Sequence, residues 1–175
     1  MATMTMYISG ATKENLAANV DERLNYYAKE YGLEIALVHA IAQVESKKKP
    51  QALRFEPALK RKQWYKKMIP AAHRTNDLAF YSMGVMQVLY GVAVSQGFKG
   101  KPGELMDIDN SINHGCLKVK SLINKYYYLD KVISSYNQGS PRKKVDPQTG
   151  KKVFCNQSYV DKVMRAYRRL GGRVK

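Results

Sequence analysis

A carboxylic acid that must deliver a proton at neutral pH needs a raised pKa, and withdrawal from water into an apolar pocket is the surest way to raise it. Glu45 is placed for this. It follows Ile41, Ala42 and Val44 at the end of the most apolar helical stretch of the chain, whereas most other acids have polar neighbours. Position alone leaves a second reading open, a helix-end carboxylate paired with Lys47, Lys48 or Lys49. Three further segments set hydrogen-bonding groups beside small or aromatic residues where helices begin or end: Ser82-Met83-Gly84-Val85-Met86-Gln87, Ser135-Tyr136-Asn137-Gln138-Gly139 and Ser158-Tyr159-Val160. Gly84 lets a backbone approach a ligand closely, and a helix starting there would present unpaired amides. Tyr136 and Asn137 offer a flat apolar face, a hydroxyl and an amide, which suits a pyranose bearing an acetamido group. Taken singly, each segment also reads as a turn or a core tyrosine. His39, His73 and His114 with the two cysteines show no zinc-like spacing, so neither a metal nor a cofactor is expected. There is no nucleotide-binding loop and no serine-nucleophile motif.

The elements that must carry these residues are helical. Leu16, Val20, Leu24, Tyr27 and Tyr31 recur at helical steps from Lys13 to Tyr31 and stop at Gly32. A helix from Leu33 to about Ser46 is apolar around most of its circumference and belongs in the middle of the protein, with Glu45 in its last turn. Pro57 opens a very basic helix through Met68, in which Lys60, Arg61, Lys62, Lys66 and Lys67 surround Trp64 and Tyr65. Further helices are predicted from Gly84 or Val85 to Ser95, Asp109 to Tyr128, Lys131 to Asn137 and Gln157 to Leu170. The Pro-, Gly- and Lys-rich run Ser140 to Lys152 predicts an exposed loop or short hairpin.

The fold class expected is therefore mainly α, a single domain over residues 1–175 with at most a small β-hairpin and a loosely packed N-terminus over residues 1–12. At 175 residues and 45% hydrophobic, the chain buries one core. Thirty Lys and Arg against fourteen Asp and Glu give a net charge of +16, which points to a polyanionic partner, nucleic acid or cell wall. No secretory signal is read in the first ten residues. The longest apolar stretch is about half of the roughly 20 residues a transmembrane helix needs. Cys116 and Cys155 are expected as free thiols.

Taken together and in order, Glu45-Ser46, Gly84-Val85-Met86-Gln87, Ser135-Tyr136-Asn137-Gln138-Gly139 and Tyr159-Val160 resemble the soluble lytic transglycosylases of glycoside hydrolase family 23, related to goose-type lysozymes. The resemblance spans about Leu24 to Leu170 and implies a lysozyme-like helical fold. It departs at Val85, where the family has leucine, and at Ser135, where it has alanine. Lys47, Lys48 and Lys49 replace the Gly and Asn common after Glu-Ser, and a basic insert of about twenty residues lies between Pro57 and Phe80. Arg54-Phe55-Glu56-Pro57 is similar to a stretch of virus-encoded members.

The resemblance implies that Glu45 cleaves peptidoglycan glycan strands, first as acid and then as base. An attacking C6 hydroxyl of N-acetylmuramic acid closes a 1,6-anhydro ring. Ser46 and Asn137 would brace the site, Gly84, Met86 and Gln87 would meet sugar, and Tyr136 or Tyr159 would bond the carboxyl or the acetamido group. No second acid lies within the motifs, which fits an intramolecular nucleophile better than the two carboxylates of an ordinary glycosidase. The alternatives are a hydrolytic lysozyme using Glu56, Asp107 or Asp109, a nucleic-acid-binding module, and a wall-binding protein without turnover. The expected protein is a monomer acting on an anionic wall in the periplasm, with no obligatory nucleic acid. Without a signal, it would sit in the host cytoplasm before release or travel with a virion.

Overall fold

The computed structural model describes residues 13–173, so the expected loose N-terminus over residues 1–12 lies outside the described residues. Helix α1 (Lys13–Glu30) is followed by α2 (Ile35–Ser46), whose Leu37, Val38, His39, Ala40, Ile41 and Ala42 are all buried. A helix apolar on every side has to be enclosed. Here α1 and α7 (Gln157–Arg169) pack against it. Helices α5 (Ile108–Lys125) and α6 (Leu129–Gln138) complete the helical body, with Ile112, Cys116 and Val119 of α5 and Ile133 of α6 in the common core. Asp107 caps α5 by accepting from the Asn110 amide at 3.1 Å. Gly139, at φ 82°, ends α6. The fold is mainly α, as expected, and no described helix is long and apolar enough to cross a membrane.

Two segments depart from the helices read in the sequence. Pro57 to Met68 is not one helix but a 3-10 turn, Pro57–Arg61, followed by α3 (Gln63–Met68). Lys62 is extended between them at φ −92°, ψ 106°. No residue of the 3-10 turn is fully buried and only Leu59 packs against the core, so little tertiary contact favours continuing it as one helix. The helix expected from Gly84 is delayed until α4 (Tyr90–Ser95). Residues 84–87 instead reverse the chain between β2 (Tyr81–Met83) and β3 (Val88–Leu89), because Gly84 and Gln87 take left-handed φ of 74° and 48°. Strand β1 (Leu53–Phe55) pairs antiparallel with β2, Arg54 opposite Ser82, which makes a three-stranded sheet in the order β1-β2-β3. Strands of two or three residues are too short to show an alternating pattern. The hairpin anticipated at Ser140 to Lys152 forms from β4 (Lys143–Val145) and β5 (Lys152–Phe154), with the Asp146 carboxylate accepting from the Gln148 and Thr149 amides in its turn. Cys116 is buried and Cys155 exposed, both as free thiols.

Gly84 tests the reversal. A Cβ there would lie 2.3 Å from Ser111 Oγ and 3.0 Å from the Leu105 carbonyl, on a backbone already at positive φ. Gly84→Ala is expected to cost roughly 2–4 kcal/mol in urea unfolding, strain and overpacking combined. Gly139→Ala, whose Cβ would meet nothing within 4 Å, should cost only about 1 kcal/mol.

Candidate active site

Glu45 sits in the last turn of α2, half-buried, and Tyr159 in the first turn of α7 donates its hydroxyl to Glu45 Oε1 at 2.7 Å. Packing of α2 on α7 makes this contact between residues 114 positions apart. Burial pushes the Glu45 carboxyl above its ordinary range. The Tyr159 hydrogen bond and the charges of Lys118 and Arg54 pull it partly back, while Glu56 adds to the rise. The net result is an acid that holds its proton to higher pH than a solvated glutamate, as a general acid requires. The carboxylate form is still supported by one donor and two cations.

The acid opens onto a cavity of about 380 Å³ whose wall includes Val44, Arg54, Asn137, Asn156, Ser158, Tyr159 and Lys162. Asn156 donates to Asn137 Oδ1 at 3.1 Å and to the Ser134 carbonyl at 3.0 Å, and it accepts from Ser134 Oγ at 2.8 Å. This fixes Asn137 with its oxygen engaged and its amide N–H groups free to donate into the cavity. Arg54 Nε donates to Glu56 Oε1 at 2.7 Å, and Ser82 Oγ donates to that carboxylate or to Gln87 Oε1. A larger cavity of about 760 Å³ opens beside Glu34, Leu37 and Tyr126 to Tyr128, at the other end of α2. At about 1.5 Å of rise per residue, Leu37 lies roughly 12 Å from the acid along the helix. That cavity belongs to a different part of the molecule.

All four motifs converge, but in two roles. Glu45, Asn137 and Tyr159 line the cavity, whereas Ser46, Gly84, Met86, Gln87 and Tyr136 are buried behind it. Ser46 Oγ donates to the Val85 carbonyl at 2.6 Å, and Tyr136 Oη donates to the Met86 carbonyl at 2.8 Å. The Met86 amide donates to Ser111 Oγ at 3.2 Å, and Gln87 Nε2 donates to the carbonyls of Ala52 and Gly84 at 3.0 Å. Met86, Gln87 and Tyr136, expected to meet sugar, are buried and are not among the residues that line this cavity. These side chains hold the 84–87 reversal against α2, α5 and α6. Lys118, Asn156 and Lys162 were not legible as site residues. Lys118 arrives from α5, its Nζ 4.3 Å from the centre of the Tyr136 ring, and desolvation lowers its pKa to about 8.

The loop after the acid keeps an unusual path. Lys47 and Lys48 are both left-handed at φ 56° and 59°. Lys48 Nζ is tied to Asp21 at 2.7 Å and to His39 Nδ1 at 3.0 Å. An ammonium only donates, so Nδ1 accepts and Nε2–H donates to Asn25 Oδ1 at 3.0 Å. His39 is thus held neutral, its pKa lowered by burial and by Lys48.

The profile of the transglycosylase SLT domain family matches residues 22–154, more than half of the chain, and the chain belongs to that family. It is a transglycosylase-type enzyme acting on peptidoglycan, at the cell wall. No curated protein and no solved structure matches it. The match ends before Tyr159, so the bond from Tyr159 to Glu45, one of the alternatives the motif resemblance implied, lies outside the matched segment and is seen in the structure.

Two outcomes follow from the site. Tyr159→Phe removes the hydrogen bond that favours the carboxylate, so the Glu45 pKa rises further. The basic limb of the kcat/KM profile should move to higher pH. Meanwhile the rate should fall about ten- to a hundredfold, the worth of a hydrogen bond to a charged group. A limb that stays put or moves to lower pH would contradict the assignment. Ser135 Oγ is, among the described residues, the buried side-chain polar atom without a hydrogen-bond partner, at the position where the related enzymes carry alanine. Ser135→Ala is expected to raise stability by about 1 kcal/mol, read as a higher denaturation midpoint.

Proposed function

We propose that the protein is a lytic transglycosylase that cleaves the β-1,4 bond between N-acetylmuramic acid and N-acetylglucosamine, with Glu45 as its single acid/base. The observation that carries this is the environment of Glu45. Its pKa is raised by burial, its carboxylate is oriented by Tyr159, and it opens onto a cavity with a free amide donor from Asn137. Protonated Glu45 delivers its proton to the glycosidic oxygen as the C1–O bond breaks. The resulting carboxylate takes the proton of the muramic C6 hydroxyl, whose oxygen bonds to C1 and closes the 1,6-anhydro ring. Glu45 ends protonated, ready for another cycle, and no water is consumed. Tethering the nucleophile to the substrate supplies a high effective concentration, so one carboxylate suffices.

The rival is hydrolysis, in which a second carboxylate would activate water. Glu56 is the other acid whose charge bears on Glu45, but Arg54 and Ser82 already engage its Oε1. This favours the intramolecular route. In this reading Asn137 binds the acetamido or hydroxyl groups of the sugar, and Tyr159 positions the acid. Ser46, Gly84, Met86, Gln87 and Tyr136 hold the wall behind them. The charge of +16 suits an anionic wall. The Arg54-Phe55-Glu56-Pro57 stretch supports a lysin of bacteriophage type.

Purified peptidoglycan digested with the protein should yield fragments ending in 1,6-anhydromuramic acid by mass spectrometry. Reducing muramic ends alone would mean hydrolysis instead. Glu45→Gln keeps an acceptor for Tyr159 and removes the proton. It should lower wall clearing by about a thousandfold, within the range of general acid–base catalysis.

A further inference from the structure

Trp64 is the one tryptophan of the chain and stands 58% exposed on α3. It is not alone. Leu53 and Phe55, two residues apart and so on one face of β1, are 43% and 40% exposed at the edge of the three-stranded sheet. Packing ties the two places together. Trp64 lies edge-on to Tyr65, Tyr65 contacts Phe80, and Lys60 Nζ sits 5.7 Å from the Phe80 ring and 5.3 Å from the Phe55 ring. Around this apolar strip stand Arg61, Lys62 and Lys67, all exposed and, among the described residues, without a carboxylate within 4 Å. Lys60 alone is neutralised, by Asp77 at 2.6 Å.

We propose that this face, β1 together with the basic arm of residues 57–67, docks on the headgroup region of an anionic lipid bilayer. The chemistry is complementary on both counts. Tryptophan, phenylalanine and leucine are the side chains that settle at the boundary of headgroups and acyl chains, while lysine and arginine stems lie along it with their charges in the headgroups. The unneutralised cations meet the negative surface potential of the lipid. A nucleic acid would also reward cations and an aromatic ring, but it has no use for exposed Leu53 and Phe55 beside them. None of the arm's residues from 57 to 67 lines the cavity of Glu45, so substitutions in the arm leave the cavity wall intact, whereas Arg54 of β1 belongs to that wall and is left unaltered in the test.

The single tryptophan makes the test direct, because its emission reports on this face alone. The full chain is titrated with vesicles of phosphatidylglycerol and phosphatidylcholine, with vesicles of phosphatidylcholine only, and with single-stranded DNA. The expected result is a blue shift of Trp64 emission with the anionic vesicles and none with the neutral ones. Lys62→Gln and Lys67→Gln should each weaken that binding about fivefold. Lys99→Gln and Lys151→Gln, equal charge removals at exposed sites elsewhere, should weaken it less. Trp64→Ala, followed by vesicle sedimentation, should also reduce binding. All four lysine variants should clear walls like the parent, which shows them folded. Absence of a blue shift with anionic vesicles overturns the proposal. So does an equal loss for the distant lysine pair, or quenching by DNA without any vesicle response.

Discussion

One half-buried carboxylate governs the arrangement of this molecule. To hold its proton to higher pH than a solvated glutamate, Glu45 has to stand at the end of an apolar helix. To be useful after losing that proton, it needs donors and positive charge close by. The first demand is met by α2, which is buried along most of its length. The second requires side chains that arrive from elsewhere in the chain: Tyr159 on α7, Lys118 on α5 and Arg54 on β1. Each must come without flooding the acid with water. The packing of α5, α6 and α7 around α2 satisfies both conditions at one point.

Backbone carbonyls supply the anchoring. Those of Val85 and Met86, in the tight reversal between β2 and β3, accept from Ser46 and Tyr136, and so tie the ends of α2 and α6 to one loop. A backbone acceptor is present whatever the side chain. This explains why Val85 is tolerated where the related enzymes carry leucine, and why Met86 can fill core space against Gly115 while its backbone serves the site. The side chains of the 84–87 stretch do structural work one layer away from the sugar.

Much of this was legible before any coordinates. The apolar circumference of the second helix announced its central place and, with it, the environment of Glu45. The long helices α1, α5 and α7 carried enough periods to be read. What escaped was short or distant. The three-stranded sheet is built of strands too brief for a pattern, and the left-handed φ of Gln87 turned an apparent helix start into a hairpin. Lys118 and Asn156 carry no local signal for a site. Their roles come from being brought across the fold, 73 positions from Glu45 in one case and 19 from Asn137 in the other. Tyr136 was legible as a motif residue, but its buried place and its bond to the Met86 carbonyl carry no local signal in the sequence.

The loop of Lys47 and Lys48 carries backbone strain that its residue types do nothing to ease. Glycine and asparagine enter the left-handed region readily and lysine does so at a cost, of the order of 1 kcal/mol or more for each residue. The chain nevertheless follows that path, and the contacts of Lys48 with Asp21 and His39 hold it there. Strain of this kind is a reserve of stability lying two and three residues beyond Glu45. It can be released by residue choice at Lys47, without altering any group that faces the cavity.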